Sequence, residues 1–334
     1  AMVDQVCAAF DRVAVVLNAG GVMDVSWFYE NDRISSVLLA YQGGMEGGSA
    51  IAALLAGKAN PCGKLPDTFA RDLDDYPSTE HFHDSTNYVE YAEDVYVGYR
   101  YFETLPGAAE RVCYPFGFGL SYTRFALEVL EAGAENGIIQ IRTQVTNIGD
   151  RAGKEVVQLY FCPPKGLLQK PSRNLTAFRK TGLLGPGESE TVTLSFAVSD
   201  MASFDDLGKI APSAWVLEKG RYDLYLGTSV RDVEKLDFAW EQAETEIVRQ
   251  CRNVLAPSQL AKRLQADGTW EYLPAAPAVD TDANALVPLD PNTLEAVAPE
   301  ARARGRYWLA RPYPEGVRPL SEVAEGKLTL DAFM

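Results

Sequence analysis

The sequence has very few histidines and no cluster of positively charged residues. It has two histidines among 334 residues and a formal net charge of −15, from 46 acidic and 31 basic side chains. Without a block of lysine or arginine it offers no surface for nucleic acid or for an anionic membrane. It also lacks the run of about 20 apolar residues that spans a bilayer, and its first residues do not form a signal peptide. We therefore expect neither nucleic acid nor a membrane as a partner.

Cysteine is sparse too. The five cysteines are odd in number, widely separated and free of C-x-x-C spacing: Cys7, Cys62, Cys113, Cys162 and Cys251. This pattern predicts neither a disulfide framework nor a zinc site, and it favours a reducing, cytoplasmic compartment. The sequence also contains no G-x-G-x-x-G and no G-x-x-x-x-G-K-[ST] motif, so we predict no cofactor.

Glycine, in contrast, is concentrated in one stretch, Tyr41–Asp67. Four glycines follow the apolar run Ile34–Ala40, where a strand would turn into a helix at Ser49–Lys58. A turn of this kind can cradle a phosphate, but without a phosphate-binding motif close packing is the better interpretation. We therefore expect Gly48→Val to loosen the domain rather than to abolish one binding step.

Helices and strands alternate in the first part of the chain. Val3–Phe10 has the pattern of a helix, and Arg12–Asn18 and Ile34–Ala40 have the continuous apolar character of strands buried on both faces. With the helix at Ser49–Lys58, this order predicts an α/β-sandwich domain, a mostly parallel sheet with helices on both faces.

The segment from Arg71 to Tyr88 lacks usable periodicity and should be a long surface loop. It carries both histidines, His81 and His83, beside Phe82 and Tyr88. Two histidines without a third ligand at a recognisable spacing do not predict a metal site, although a metal remains the alternative. Loops of this length are usually functional or mobile, and we take Phe82 and Tyr88 as candidate substrate-binding residues at the lip of a pocket.

A second pattern starts at Phe125. Short runs with partial period-two alternation are separated by turns rich in Gly, Pro, Asn and Asp. The runs are Phe125–Leu130, Ile138–Val145, Glu155–Phe161, Thr191–Phe196, Arg221–Leu226 and Lys235–Trp240. This spacing predicts an antiparallel β-sandwich. Beyond it, Thr245–Leu264 is expected to be helical, and Pro274–Pro299 lacks a core pattern.

Several runs of residues resemble a known family. VVLNAGGVMDVSW, ANPCGKLPDTF, VEYAEDVYVGYRYFET and RVCYPFGFGLSYTRF resemble the α/β-sandwich domain of glycoside hydrolase family 3, the family of β-glucosidases and related exo-acting enzymes. VTNIGDRAGKEVVQLYF, LTAFRKTGLLGPGESETVTLSF and LEKGRYDLYLGTS resemble the all-β fibronectin type III-like domain that follows it in many members. We accordingly divide the chain into a sandwich domain (1–123) that is incomplete at its amino terminus, a fibronectin type III-like domain (124–240) and an extended connector (241–334).

The resemblance implies a retaining enzyme that hydrolyses terminal non-reducing β-D-glucosyl residues of a β-glucoside or oligosaccharide. In this family the nucleophilic Asp lies on a (β/α)8 barrel, and in many members the Glu acid/base precedes the strand matched by Arg12–Asn18. We therefore expect no catalytic residue in this chain. Because some members carry the barrel last, the expected partner is a barrel on another chain or in the missing part of the same polypeptide. A homo-oligomer stays open.

Two alternatives to this assignment stay open. The chain could be a non-catalytic carbohydrate-binding or scaffolding protein, or the enzyme could be a β-xylosidase or β-N-acetylglucosaminidase, because the specificity contacts would lie mainly on the barrel. Acidic side chains such as Glu46, Glu93 and Asp94 are candidates for catalysis by type only, and 46 acidic residues make such candidates unremarkable.

Overall fold

The computed structural model describes residues 2–79, 90–251 and 261–273. The first domain contains the helices and strands α1 (Met2–Ala9), β1 (Val13–Leu17), α2 (Ser26–Tyr29), β2 (Ile34–Leu39), α3 (Gly47–Leu55), β3 (Phe69–Ala70), α4 (Tyr99–Phe102) and β4 (Val112–Tyr114). These bounds confirm the predicted alternation of helices and strands at the start of the chain. Within the described ranges, no helix has the length and apolar character that crossing a membrane requires.

The prediction of a mostly parallel sheet is not confirmed. β1 and β2 are parallel, with Val15 opposite Val37, but β3 and β4 are antiparallel. β3 has only two residues and pairs with the strand that returns after the short turn at Ala108–Arg111. The two parallel strands have no further neighbour among the described residues, so Val16 and Val37 remain 38% and 37% exposed instead of being buried on both faces.

The predicted antiparallel sandwich is confirmed. Its strands are β5 (Phe125–Glu135), β6 (Ile138–Asn147), β7 (Val156–Cys162), β8 (Asn174–Lys180), β9 (Ser189–Ala197), β10 (Ser203–Asp205), β11 (Ala214–Leu217), β12 (Gly220–Gly227) and β13 (Val233–Gln242). One sheet has the order β13-β12-β7-β8 and the other β5-β6-β9. Alternate side chains from both sheets, such as Val145, Leu159 and Leu224, are fully buried in the core between them.

The expected helix at Thr245–Leu264 is wrong over its described residues. Glu246–Gln250 forms β14, which pairs antiparallel with β11. The edge of β11 offers unpaired backbone groups, and Val248 packs against the core of the sandwich, so tertiary pairing overrides local propensity. Further along, β15 (Lys262–Leu264) and β16 (Trp270–Tyr272) form a hairpin.

The two domains are in contact at the aromatic and glycine segment Phe116–Gly119. Gly117 has φ +80°, and a Cβ built there would lie 2.6 Å from the Gln158 side chain. A Cβ at Gly119 would lie 2.2 Å from the carbonyl oxygen of Gly63. Both glycines therefore allow a close approach, Gly117 to the second domain and Gly119 within the first.

A buried carboxylate fixes the turn after β10. Asp205 is 1% exposed and accepts hydrogen bonds from the backbone N–H groups of Gly208 (2.8 Å), Lys209 (3.0 Å), Ile210 (2.7 Å) and Ala211 (2.8 Å). Burial raises the pKa of this carboxyl, but the four donors outweigh burial and the pKa is lowered overall. The turn therefore depends on an ionised Asp205.

Asp205→Asn should lower the free energy of unfolding by about 3 kcal/mol at pH 7, because an amide cannot accept from all four donors. Since the pKa of Asp205 is lower in the folded state, its contribution is present above the unfolded pKa of about 3.9 and is lost as the pH falls through the folded value. Urea unfolding at pH 7 and pH 3 should show the difference between the two proteins shrinking at pH 3.

The matched control is Asp237→Asn, at an exposed position of β13, which should change stability by less than about 0.5 kcal/mol. A loss of the same size for Asp205→Asn at both pH values would contradict the role of the ionised carboxylate.

Candidate functional site

The main hollow of the first domain lies where β1 and β2 end. Parallel strands place their carboxyl ends at one edge of the sheet, which is where ligands bind in α/β folds. The hollow encloses about 440 Å³ and is lined by Asn18, Tyr41, Gln42, Gly43, Gly44, Gly47, Gly48 and Ile51. The glycine-rich stretch singled out in the sequence therefore forms one side of it.

Close packing explains one of these glycines, but it is not Gly48. A Cβ at Gly43 would lie 2.7 Å from the Cα of Gly47, whereas a Cβ at Gly48 meets no atom within 4 Å. Gly44 has φ +63°, a conformation that favours glycine. The close packing expected at Gly48 is therefore found at Gly43 instead, and the effect of Gly48→Val on the domain stays a prediction.

The first turn of α3 lies beside this hollow. No side chain caps the backbone N–H groups of this turn. Glu46 is the N-cap residue and makes no capping hydrogen bond, although its charge suits the positive end of the helix. Gly47 and Gly48 line the hollow directly. With the amides of Asn18 and Gln42, the hollow offers both donors and acceptors, and it suits a small polar group such as a hydroxyl.

Tyr41 lies between β2 and the glycines, and both its backbone conformation and its hydroxyl group are unusual. Its backbone has φ +49°, and its hydroxyl oxygen is buried without a hydrogen-bond partner in the described part of the chain. Burial, and to a smaller extent the Asp67 carboxylate, raises the pKa of the phenol. Tyr41 therefore keeps its proton at neutral pH. An unsatisfied buried hydroxyl and a left-handed non-glycine residue are both features that cluster at functional sites.

The tyrosines around Arg100 belong to the core and the domain junction. Tyr96 is fully buried, and the Tyr99 ring stacks on Phe116 with centroids 4.6 Å apart. The Tyr99 hydroxyl accepts a hydrogen bond from the backbone N–H of Leu175 at 3.0 Å. These rings therefore pack the two domains together, which is the commoner role of such clusters.

Three acidic residues at the start of the Arg71–Tyr88 segment have a structural role. The Asp72 carboxylate accepts from the N–H of Asp74 at 3.1 Å, and Asp75 accepts from the N–H of Asp72 at 3.0 Å. Asp75 also lies 3.6 Å from Arg111. Together they cap the short helix Leu73–Asp75.

Of two further acidic candidates, Glu93 is buried and Asp94 is half-buried. Glu93 is 5% exposed, and its Oε2 has no hydrogen-bond partner among the described residues. Asp94 lies 3.4 Å from the guanidinium of Arg263. Burial raises the pKa of Asp94, and the positive charge of Arg263 opposes this shift.

The pocket-lip candidates Phe82 and Tyr88 lie outside the described residues, as do His81 and His83. Their role stays a prediction. Among residues 2–79, 90–251 and 261–273 no group of three His, Cys, Asp or Glu side chains is arranged to hold a metal. Sequence reasoning missed Asn18, Tyr41 and Gln42, although their positions just after two buried strands were a usable signal.

Comparison with known proteins shows which family domains the chain resembles. Residues 1–122 match the Glycosyl hydrolase family 3 C-terminal domain, and residues 155–230 match the Fibronectin type III-like domain. Over residues 1–122 the chain is therefore similar to the family 3 C-terminal domain. The two domains follow each other in the order that the sequence predicts.

Individual relatives agree with this assignment. The chain is 50% identical to beta-glucosidase A of Butyrivibrio fibrisolvens over 100% of its own length and 43% of that protein's. The crystal structure of a beta-glucosidase from Paenibacillus barengoltzii has a TM-score of 0.78 and 38% identity, covering 100% of this chain and 36% of that one. Beta-glucosidase 3B from Thermotoga neapolitana in complex with glucose has a TM-score of 0.63 and 40% identity, covering 70% of this chain and 32% of that one. The chain thus spans less than half of each of these proteins.

The state of the Tyr41 hydroxyl leads to a test. Tyr41→Phe should leave the free energy of unfolding unchanged or raise it by up to about 1 kcal/mol, because it removes a buried hydroxyl that has no partner in the described structure. Chemical unfolding of the chain by urea measures this.

Tyr76→Phe is the control, since the Tyr76 hydroxyl accepts from Ala70 N at 2.8 Å and donates to Thr68 O at 2.9 Å. This variant should lose about 1–2 kcal/mol. Equal losses in both variants would mean that the Tyr41 hydroxyl is satisfied within the chain.

Proposed function

We propose that this chain is the non-barrel portion of a retaining β-glucosidase-like hydrolase that removes terminal non-reducing β-D-glucosyl residues. The observation that carries the proposal is the 50% identity, along the whole chain, to a protein named beta-glucosidase A. Because the chain spans 43% of that protein, the chemistry of the complete enzyme is part of the proposal.

The proposed reaction needs two carboxylates about 5 Å apart on either side of the scissile bond. One attacks the anomeric carbon, while the other first protonates the leaving oxygen and then activates water. In this chain Asp72 and Asp75 cap a short helix, and Asp94 is held by Arg263. These structural roles support a catalytic pair located outside the described residues, with the nucleophile on a (β/α)8 barrel.

This chain would then form one wall of the substrate pocket. The hollow at Asn18, Tyr41 and Gln42 offers polar groups to sugar hydroxyls. We propose that Phe82 and Tyr88 contact the sugar or aglycone beyond the cleaved bond, since the C–H faces of sugars pack on aromatic rings.

The wider setting of the domain is also proposed. The exposure of Val16 and Val37 on the β1–β2 pair supports a larger, mostly parallel sheet in the complete enzyme. All five cysteines are free, which supports a reducing, cytoplasmic location. The division at residues 123 and 240 stays a prediction.

Complementation tests where the catalytic carboxylates lie. The isolated chain should not hydrolyse an aryl β-glucoside, and neither should a separately produced family 3 barrel chain, whereas a mixture should release the phenol. Full activity in the isolated chain would overturn the location of the carboxylates. Saturable binding of cellobiose with no activity in any mixture would instead favour the non-catalytic carbohydrate-binding alternative.

Aromatic truncation tests the proposed outer wall. In the complete enzyme, Phe82→Ala and Tyr88→Ala should raise KM for aryl β-glucosides by roughly fivefold or more, because each ring contributes about 1 kcal/mol or more of stacking. Steady-state kinetics with several aglycones gives the measurement. Phe178→Ala, which removes an aromatic ring 67% exposed on β8, is the control and should leave KM unchanged. An unchanged KM in all three variants would remove Phe82 and Tyr88 from the site.

A further inference from the structure

The hairpin β15–β16 lies beyond the fibronectin type III-like domain in sequence but packs into the first domain. Leu264 is 5% exposed and belongs to the same buried cluster as Ala70, Tyr96 and Phe102. Its backbone N–H donates to the carbonyl oxygen of Ala92 at 2.8 Å. The core of the first domain is therefore closed by a residue far outside the range that matches the family 3 domain.

The neighbouring residue on the same strand reaches both domains. The Arg263 side chain is 6% exposed, and its Nη1 lies 3.4 Å from Asp94 of the first domain and 3.0 Å from Asp206 of the second. Its Nε donates to Glu271 within the hairpin at 2.9 Å. Carboxylates from three parts of the chain thus contact one buried guanidinium.

An uncharged side chain, Gln169, also connects the hairpin with both domains. The Oε1 atom of Gln169, in the β7–β8 connection, accepts from the Tyr96 hydroxyl at 2.8 Å and from the backbone N–H of Ala266 at 3.2 Å. Lys209 of the second domain also lies 3.3 Å from Glu271 of the hairpin. The hairpin is consequently joined to the first domain by a backbone hydrogen bond and an ion pair, and to the second by a hydrogen bond to Gln169 and by ion pairs.

An isolated two-stranded hairpin is at best marginally stable in water, and a buried arginine is costly without its partners. The hairpin therefore depends on both domains for its own structure. Conversely, removing it would expose Tyr96 and Phe102, which are fully buried. The dependence is mutual.

We propose that residues 261–273 are an integral part of the first domain, a clasp that completes its core from beyond the second domain, and that Arg263 locks this clasp to both. The matched families end at residues 122 and 230 and assign no role to this segment. The proposal concerns folding and domain coupling, and it holds whether or not the proposed hydrolase activity is found.

Hydrogen exchange followed by mass spectrometry tests the clasp in the complete chain. Leu264→Ala should speed amide exchange in peptides covering 92–112 by about tenfold or more, because such truncations strongly favour local opening. Peptides covering 138–147, in the sandwich core, should keep their protection. Ile247→Ala is the matched control, since Ile247 is 51% exposed on β14, and it should change neither region.

The lock is tested separately with Arg263→Met, which keeps the apolar stem and removes the charge. It should speed exchange in the hairpin and in the turn 206–211 at least threefold, while Arg263→Lys should recover part of the protection. Arg249→Met, at an exposed position of β14, is the control for loss of an arginine.

Unchanged protection at 92–112 in Leu264→Ala would overturn the proposal. Equal loss of protection in 92–112 and 138–147 would also overturn it, because the hairpin would then have no particular connection to the first domain. If Arg263→Met and Arg249→Met behave alike, Arg263 is not the lock.

Discussion

The relation between the two domains depends on the absence of a side chain at Gly117, in the segment Phe116–Gly119. Backbone groups of this segment serve both domains, since Gly117 N–H donates to Leu65 O at 2.8 Å and Val230 N–H donates to Phe116 O at 3.1 Å. Any Cβ at Gly117 would collide with Gln158 and with the backbone at Ser229. At the same junction Arg231 of the second domain pairs with Glu103 of the first at 2.8 Å.

The acidic side chains of this chain show why residue type is a poor guide to catalysis. Asp205 organises a turn through four backbone donors. Glu218 accepts hydrogen bonds from Leu167 N and Leu168 N and pairs with Lys170. Each carboxylate satisfies local backbone or charge demands that the sequence does not reveal. Tyr41 differs from these carboxylates, because its buried hydroxyl makes no hydrogen bond within the described residues.

Much of the fold was predictable where local patterning and tertiary structure agree. The alternating runs of the sandwich were found because each strand buries one face against the opposite sheet. Glu246–Gln250 was predicted as helix because pairing to β11 is a tertiary contact without a local signal. The same limit applies to the site. The glycine-rich turn was visible, but which glycine is packed depends on the approach of Gly43 to Gly47 across the turn, and the Arg263 cluster joins residues from three separate parts of the chain.

The position of Leu264 in the core of the first domain has a consequence for synthesis of the chain. A polypeptide emerges from the ribosome amino terminus first, and domains generally fold as they emerge. Here the first of the two domains has its complete core only once the second domain and the hairpin have followed. The second domain, whose buried cluster is built from residues of its own sandwich and the adjoining strand β14, can complete its folding earlier. The second of the two domains can therefore complete its core before the first, although it is synthesised after it.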